Sequence, residues 1–239
     1  EGRAIGSGHP PYVIAEMSAN HNGSIETAFA IIEAAKSAGA DAVKMQTYKP
    51  DTITLKSDKP DFKIEDGLWA GRTLYELYEW AHTPWDWHGP LFEYARNLGI
   101  TIFSSPFDST AVDLLEDLNA PAYKIASFEA VDVGLIKYVA ETRKPMIIST
   151  GMANLEEISE AVEAARGAGC NQLALLHCVS SYPAPPKDYN LKTLIDLAAR
   201  FNAVVGLSDH TLPNATAVAS VALGASVIEK HFTLDRNGG

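Results

Sequence analysis

Four stretches of the chain repeat one pattern. An amphipathic segment ends in Ala or Leu and then glycine, and a β-rich run follows within a few positions. The junctions are Ala38-Gly39 before 41–46, Leu98-Gly99 before 100–103, Ala168-Gly169 before 172–177 and Leu223-Gly224 before 226–231. Glycine just past a last helical turn takes the left-handed conformation that ends a helix, so each junction reads as helix, stop, strand. Short apolar runs at 12–15, 122–126, 146–148 and 203–207 bring the strands to eight, with helical stretches notably at 25–38, 155–168, 191–201 and 214–223. Apolar character on successive residues, rather than alternation, suits parallel strands covered on both faces. The order predicts an α/β fold, a (β/α)8 TIM barrel, with an open doubly wound sheet as the structural alternative.

One connection departs from the pattern. Residues 48–98 separate strands two and three, far more than a loop and one helix need. The first part is charged and carries Pro and Gly turns, while Trp69, Trp80, Trp85 and Trp87 stand in the second with Tyr75 and Tyr78. The pattern predicts a loop over the barrel mouth followed by helices. The helical spacing of the aromatics favours core packing over a ligand cage.

The length fits either two small domains or one closed α/β barrel. The 239 residues are 46% hydrophobic and carry Lys+Arg 19 against Asp+Glu 30, a net charge of −11. That acidic balance argues against nucleic acid or an anionic membrane as partner, because no basic surplus exists to neutralise phosphates. A small anion held by a few focused lysines stays possible. The longest nearly apolar stretch, 215–228, is broken by Thr216, Ser220, Gly224 and Ser226 and is too short to span a bilayer, and no leader is evident. Two cysteines, Cys170 and Cys178, suit free thiols in the cytoplasm.

Catalytic residues of a parallel barrel gather at the C-terminal ends of its strands. There this chain places Glu16, then Lys44 and Gln46, Ser104 and Ser105, Lys124 and Ser127, Ser149 and Thr150, His177 and Cys178, Ser208 to His210, and Glu229 to His231. Lys44 and Lys124 interrupt apolar runs, and burying an ammonium is costly unless an anion compensates it. One reading is a structural ion pair with Glu16 or Glu129. The other is that both lysines point at one anionic ligand, with the hydroxyls of Ser105, Ser127, Ser149 and Ser208 around its oxygens. His210 and His231 close neighbouring strands and suit a shared divalent cation, or simple hydrogen bonding. His21 and His177 are weaker candidates, and Cys178 suits a small buried apolar role better than that of a ligand or nucleophile.

Several runs together resemble the sialic acid synthase family. They are Ala15-Glu16-Met17-Ser18-Ala19-Asn20-His21-Asn22-Gly23, Val43-Lys44-Met45-Gln46-Thr47, Ser104-Ser105-Pro106-Phe107, Tyr123-Lys124-Ile125-Ala126-Ser127, Ser149-Thr150-Gly151-Met152, Gly206-Leu207-Ser208-Asp209-His210 and Glu229-Lys230-His231-Phe232. Within the family, Ser57 to Phe62, Gly67-Leu68-Trp69, Leu74 to Tyr78 and Ala126-Ser127-Phe128-Glu129 look most like the pseudaminate branch. Phe128 and Ser180 depart from the Gly and Asn usual in neuraminate-type members and favour a deoxy, diacetamido sugar.

The resemblance implies condensation of phosphoenolpyruvate with an N-acetylated aminosugar, here 2,4-diacetamido-2,4,6-trideoxy-altrose, to give a nonulosonic acid and phosphate by C–O cleavage. It implies a divalent metal, Mn²⁺ first among Co²⁺, Mg²⁺, Fe²⁺ and Zn²⁺, on His210 and His231. Lys44, Ser105, Lys124, Ser127, Ser149, Ser180 and Ser208 become contacts to phosphoenolpyruvate, and Glu16, Gln46 and Tyr182 contacts to the sugar. It also implies a homodimer, and a continuation past Gly238-Gly239 into an eighth helix and an antifreeze-like domain, so that 1–239 is the catalytic barrel alone. Neuraminate or legionaminate synthesis, a metal-dependent aldolase or hydrolase, and a non-catalytic ligand-binding fragment are the alternatives.

Overall fold

Eight parallel strands close on themselves in chain order: β1 (Tyr12–Glu16), β2 (Ala42–Thr47), β3 (Thr101–Pro106), β4 (Tyr123–Ile125), β5 (Met146–Ser149), β6 (Leu173–Cys178), β7 (Val204–Asp209) and β8 (Val227–His231). Closure is made by β1 against β8, from Tyr12 beside Val227 to Glu16 beside His231. This is the (β/α)8 barrel the sequence predicts, and the open sheet is excluded. The computed structural model describes residues 2–67 and 69–237; Leu68 and Gly238-Gly239, used in the sequence reading, lie outside them.

The helices on the outside are α1 (Ile25–Ser37), α2 (Pro50–Ile53), α3 (Leu74–Ala81), α4 (Trp85–Leu98), α5 (Ser109–Asp117), α6 (Val133–Glu141), α7 (Leu155–Gly167), α8 (Thr193–Phe201) and α9 (Ala215–Ala222). Their starts follow side-chain chemistry. Ser24 accepts from the Thr27 amide at α1, Asp108 from Thr110 and Ala111 at α5, and Asn154 from Glu156 and Glu157 at α7. Gly99 ends α4 in the left-handed conformation, φ 74° and ψ 39°, as its place after Leu98 predicts. Among the described residues no helix is long and apolar enough to cross a membrane.

Strand alternation sorts the core into two regions. Outward residues such as Val43, Met45, Ile125, Ile148, Leu175 and Leu207 are buried beneath the helices. Inward residues form a separate apolar layer low in the barrel, made by Ile14, Ala42, Phe103, Leu176 and Val227. Two residues further along those strands, the inward positions are Glu16, Lys44, Ser105, Cys178 and Glu229. The barrel interior therefore changes from apolar to ionic toward its C-terminal end.

Gly206 belongs to the inward set of β7, and a Cβ there would lie 2.3 Å from the Val227 carbonyl oxygen and 2.7 Å from Leu176 Cδ2. Because the first obstacle is backbone, Gly206→Ala is expected to destabilise the barrel by about 3 kcal/mol, read as a lower denaturant midpoint at unchanged slope.

The 48–98 connection holds α2, a short 3-10 turn at Pro60–Phe62, α3 and α4. Thr73 and Glu76 cap each other reciprocally at the start of α3. The α4 helix buries Leu91, Phe92 and Ala95 against the barrel and takes the usual place of the helix between β2 and β3. The remainder lies over the mouth, as expected. The aromatics divide, which corrects the expectation of core packing. Trp87 packs on the core and meets the His21 ring edge to face, while Trp69 and Trp80 are 42% and 43% exposed and line the mouth. Ser127 is also corrected: β4 stops at Ile125, and Ser127, with helical angles φ −61° and ψ −35°, opens a turn over Phe128–Val131.

Candidate functional site

A cavity of about 290 Å³ opens at the C-terminal end of the strands, lined by Glu16, Lys44, Gln46, Lys124, His210 and His231 among others. A larger one, about 680 Å³, opens at the opposite end beside Tyr12, Phe103, Ile147 and Val204. Its two arginines are already engaged, Arg3 by Asp41 and Arg166 by the carbonyls of Phe201 and Asn202. The chemistry is concentrated in the smaller cavity.

Its floor is a cluster of two buried lysines and two buried glutamates. Lys44 Nζ lies 2.7 Å from Glu16 Oε2, donates to Ser105 Oγ at 3.2 Å and stands 3.7 Å from Glu229 Oε1. Lys124 Nζ donates to both oxygens of Glu229 at 3.0 Å. The structural ion pair is thus present for both lysines, but Lys124 pairs with Glu229 rather than Glu129. Sequence reading placed Glu229 at the end of strand eight but gave it no role. The signal was its place two residues before His231 on β8, which turns both side chains inward, while Lys230 turns outward to Asp209 at 2.8 Å.

The charges shift one another. Burial pushes the Glu229 carboxyl up, but Lys124 and Lys44 pull it down further, well below the usual carboxylate range. Burial, helped by the Glu229 charge, raises Glu16 more than the lysines lower it, so its carboxyl is the easier of the two to protonate. Burial pulls both ammonium groups down; for Lys44 the two glutamates more than offset it, whereas for Lys124 Glu229 does not, and the Lys44 charge adds to the lowering. Glu129, beyond β4, is raised by burial to about 7 and has an Oε2 without a hydrogen-bond partner.

The predicted hydroxyls gather round this floor. Ser127, Ser149, Ser180 and Ser208 line the cavity, and Ser105 sits behind Lys44. Ser149 Oγ is buried without a partner, which leaves one polar atom free for a ligand oxygen. Gln46 Nε2 donates to Glu16 Oε1 at 2.9 Å.

On the rim, the rings of His210 and His231 are 5.4 Å apart between centroids, and the Tyr182 ring stands 4.3 Å from the first and 5.7 Å from the second. His210 Nδ1 lies 2.8 Å from the Val179 carbonyl oxygen, which only accepts, so Nδ1 carries the proton and Nε2 is free. Among the described residues no group of three or more His, Cys, Asp or Glu is placed to hold a metal. The two imidazoles fit a divalent cation as an open half-site, with the remaining positions left to water or substrate oxygens.

Three weaker candidates are accounted for. His21 is buried between Thr83 and the Gly23 amide, and His177 faces outward to the Tyr189 carbonyl, so neither reaches the cavity. Cys178 lines the cavity with Sγ 3.8 Å from His210 Nδ1.

The chain is also similar to known proteins over almost its whole length. A pseudaminic acid synthase of Campylobacter jejuni is 51% identical over 226 residues, 95% of this chain and 66% of that protein, so the chain spans just under two thirds of it. An N,N'-diacetyllegionaminic acid synthase of Legionella pneumophila is 39% identical over 97% of the chain and 66% of its own length. Among solved structures, the N-acetylneuraminic acid synthetase of Leptospira borgpetersenii superposes with a TM-score of 0.88 at 30% identity, covering 99% of this chain and 78% of that one. Residues 31–239 match the NeuB family, and the chain belongs to that family.

Proposed function

We propose that the cavity condenses phosphoenolpyruvate with an N-acetylated aminosugar aldehyde, 2,4-diacetamido-2,4,6-trideoxy-altrose, giving a nonulosonic acid and inorganic phosphate for surface polysaccharide or flagellin glycosylation. The observation that carries the reading is the pair of buried lysines beneath a ring of serine hydroxyls, one of them unpartnered, at the mouth of a NeuB-family barrel. The pseudaminic acid synthases among its relatives favour the diacetamido sugar.

In the proposed reaction C3 of phosphoenolpyruvate forms a bond to the aldehyde carbon, a water oxygen adds at C2, and the C2–O bond to phosphate breaks. Each ammonium has three donors; Lys124 directs two to Glu229 and Lys44 directs two to Glu16 and Ser105, so each retains one for the oxygens of the anion. With Ser127, Ser149, Ser180 and Ser208 they offset its charge from fixed positions, which costs no reorganisation as phosphate departs. Glu16, oriented by Gln46, holds a sugar hydroxyl and faces the positive charge left at C2 after the new bond forms. Its raised pKa suits a group that gains and returns a proton there. Tyr182 packs beside the two histidines and borders the sugar. A divalent ion on His210 and His231, Mn²⁺ in this proposal, would supply Lewis acidity to the aldehyde oxygen.

The test is phosphate release by the intact protein given phosphoenolpyruvate, Mn²⁺ and the altrose derivative. Silence with that sugar but turnover of N-acetylmannosamine reverses the choice of substrate. Chelation, or His231→Ala, should remove activity by about a thousandfold or more while the thermal midpoint of the apoprotein stays put. Full activity after chelation contradicts the role given to the histidines.

A further inference from the structure

The cavity has two chemically different walls. One is ionic, as described. The other comes from the 48–98 connection, through Tyr48, Trp69, Leu77, Tyr78 and Trp80, and is joined by Phe128 from the turn after β4. Phe128 is 63% exposed, and with Trp69 and Trp80 it presents a group of large apolar side chains to solvent beside a site. Apolar surface grouped around a concave site marks a face that a ligand covers, whereas isolated exposed residues carry no such meaning.

The part of this wall made by Tyr48, Tyr78 and Trp80 is held in place. Tyr48 is buried and meets Tyr78 and Phe107 edge to face at 5.7 and 5.3 Å between centroids. Arg72 lies 5.7 Å over the Trp80 ring, and the Thr73–Glu76 cap fixes the helix that carries Tyr78 and Trp80. Rings already fixed bind a ligand face with little ordering cost. Ring faces favour methyl groups and bare C–H surface, because a hydroxyl pressed against them loses water without an equal partner.

We propose that Trp69, Trp80 and Phe128 form the specificity-determining surface for the aminosugar, selecting one that presents a C6 methyl and acetamido methyls over one that presents a C6 hydroxymethyl. The inference rests on the condensation reading above and adds which end of the sugar is read, and by what. An apolar surface rejects an added hydroxyl by no more than about a hundredfold, so the preference is real but finite.

The experiment measures kcat and KM of the intact protein for 2,4-diacetamido-2,4,6-trideoxy-altrose and for N-acetylmannosamine at saturating phosphoenolpyruvate. Trp80→Ala and Phe128→Ala should raise KM for the deoxy sugar about tenfold and narrow the preference between the sugars. In Trp80→Ala the KM for phosphoenolpyruvate should stay within about twofold, since none of its lysines and serines lies in the 48–98 connection, and Trp80→Phe should keep most of the preference. Both positions are partly exposed, so folded variants are expected, and Phe128→Ala carries the test alone should Trp80→Ala fail to fold. An unchanged preference ratio in the variants, or no preference in the unaltered protein, overturns the wall while leaving the condensation reading intact. No turnover with either sugar overturns both.

Discussion

Glu229→Gln is expected to cost the barrel about 3–5 kcal/mol at neutral pH, the range for removing one partner of a buried ion pair. Glu229 takes both contacts of Lys124 and stands 3.7 Å from Lys44, so the neutral amide leaves two buried ammonium groups facing Glu16 alone. The side chain keeps its volume, and packing loss contributes little. Urea denaturation measures the effect directly. A loss below about 1 kcal/mol, the value typical of exposed pairs, would mean the cluster is far better hydrated than its burial implies.

Lys124→Met is expected to lower sugar-dependent phosphate release by about 10²–10³, the usual cost of removing one preorganised donor to developing negative charge. It also leaves Glu229 with only Lys44 nearby, so the single variant mixes stability with function. The double variant Lys124→Met, Glu229→Leu separates them. Replacing a buried ion pair by apolar side chains of similar volume is often neutral or stabilising, so folding should recover toward the unaltered level. Activity should not. Recovery of both would mean that Lys124 and Glu229 are a structural pair only. Activity kept in Lys124→Met would favour a metal-dependent aldolase or hydrolase, which has no need of paired lysines.

Much of the barrel was legible because four of its helices end at a glycine just before a strand and the strands are largely apolar on successive positions, two local signals that agree. The boundary at Ser127 was not, since its helical backbone angles are set by the turn that follows rather than by its own side chain. Most of the cavity was legible from polar residues at the strand ends. The role of Glu229 was not, because its pairing with Lys124 across the barrel depends on closure and on register, Glu229 beside Ile14 and Ser208, which no single strand encodes. The tryptophans were ambiguous for a related reason. Helical spacing places Trp80 on one face of α3, but only the path of the connection decides whether that face meets the core or the mouth. Trp87 and Trp80 lie in the same connection and end on opposite answers.

The central claim is that this cavity joins phosphoenolpyruvate to a sugar by breaking its C–O bond. The direct measurement supplies phosphoenolpyruvate labelled with ¹⁸O at the bridging oxygen, together with the diacetamido sugar and Mn²⁺, to the intact protein. The account predicts phosphate released only when sugar is present, with the label in the phosphate. Release without sugar, or label retained in the organic product, would contradict it.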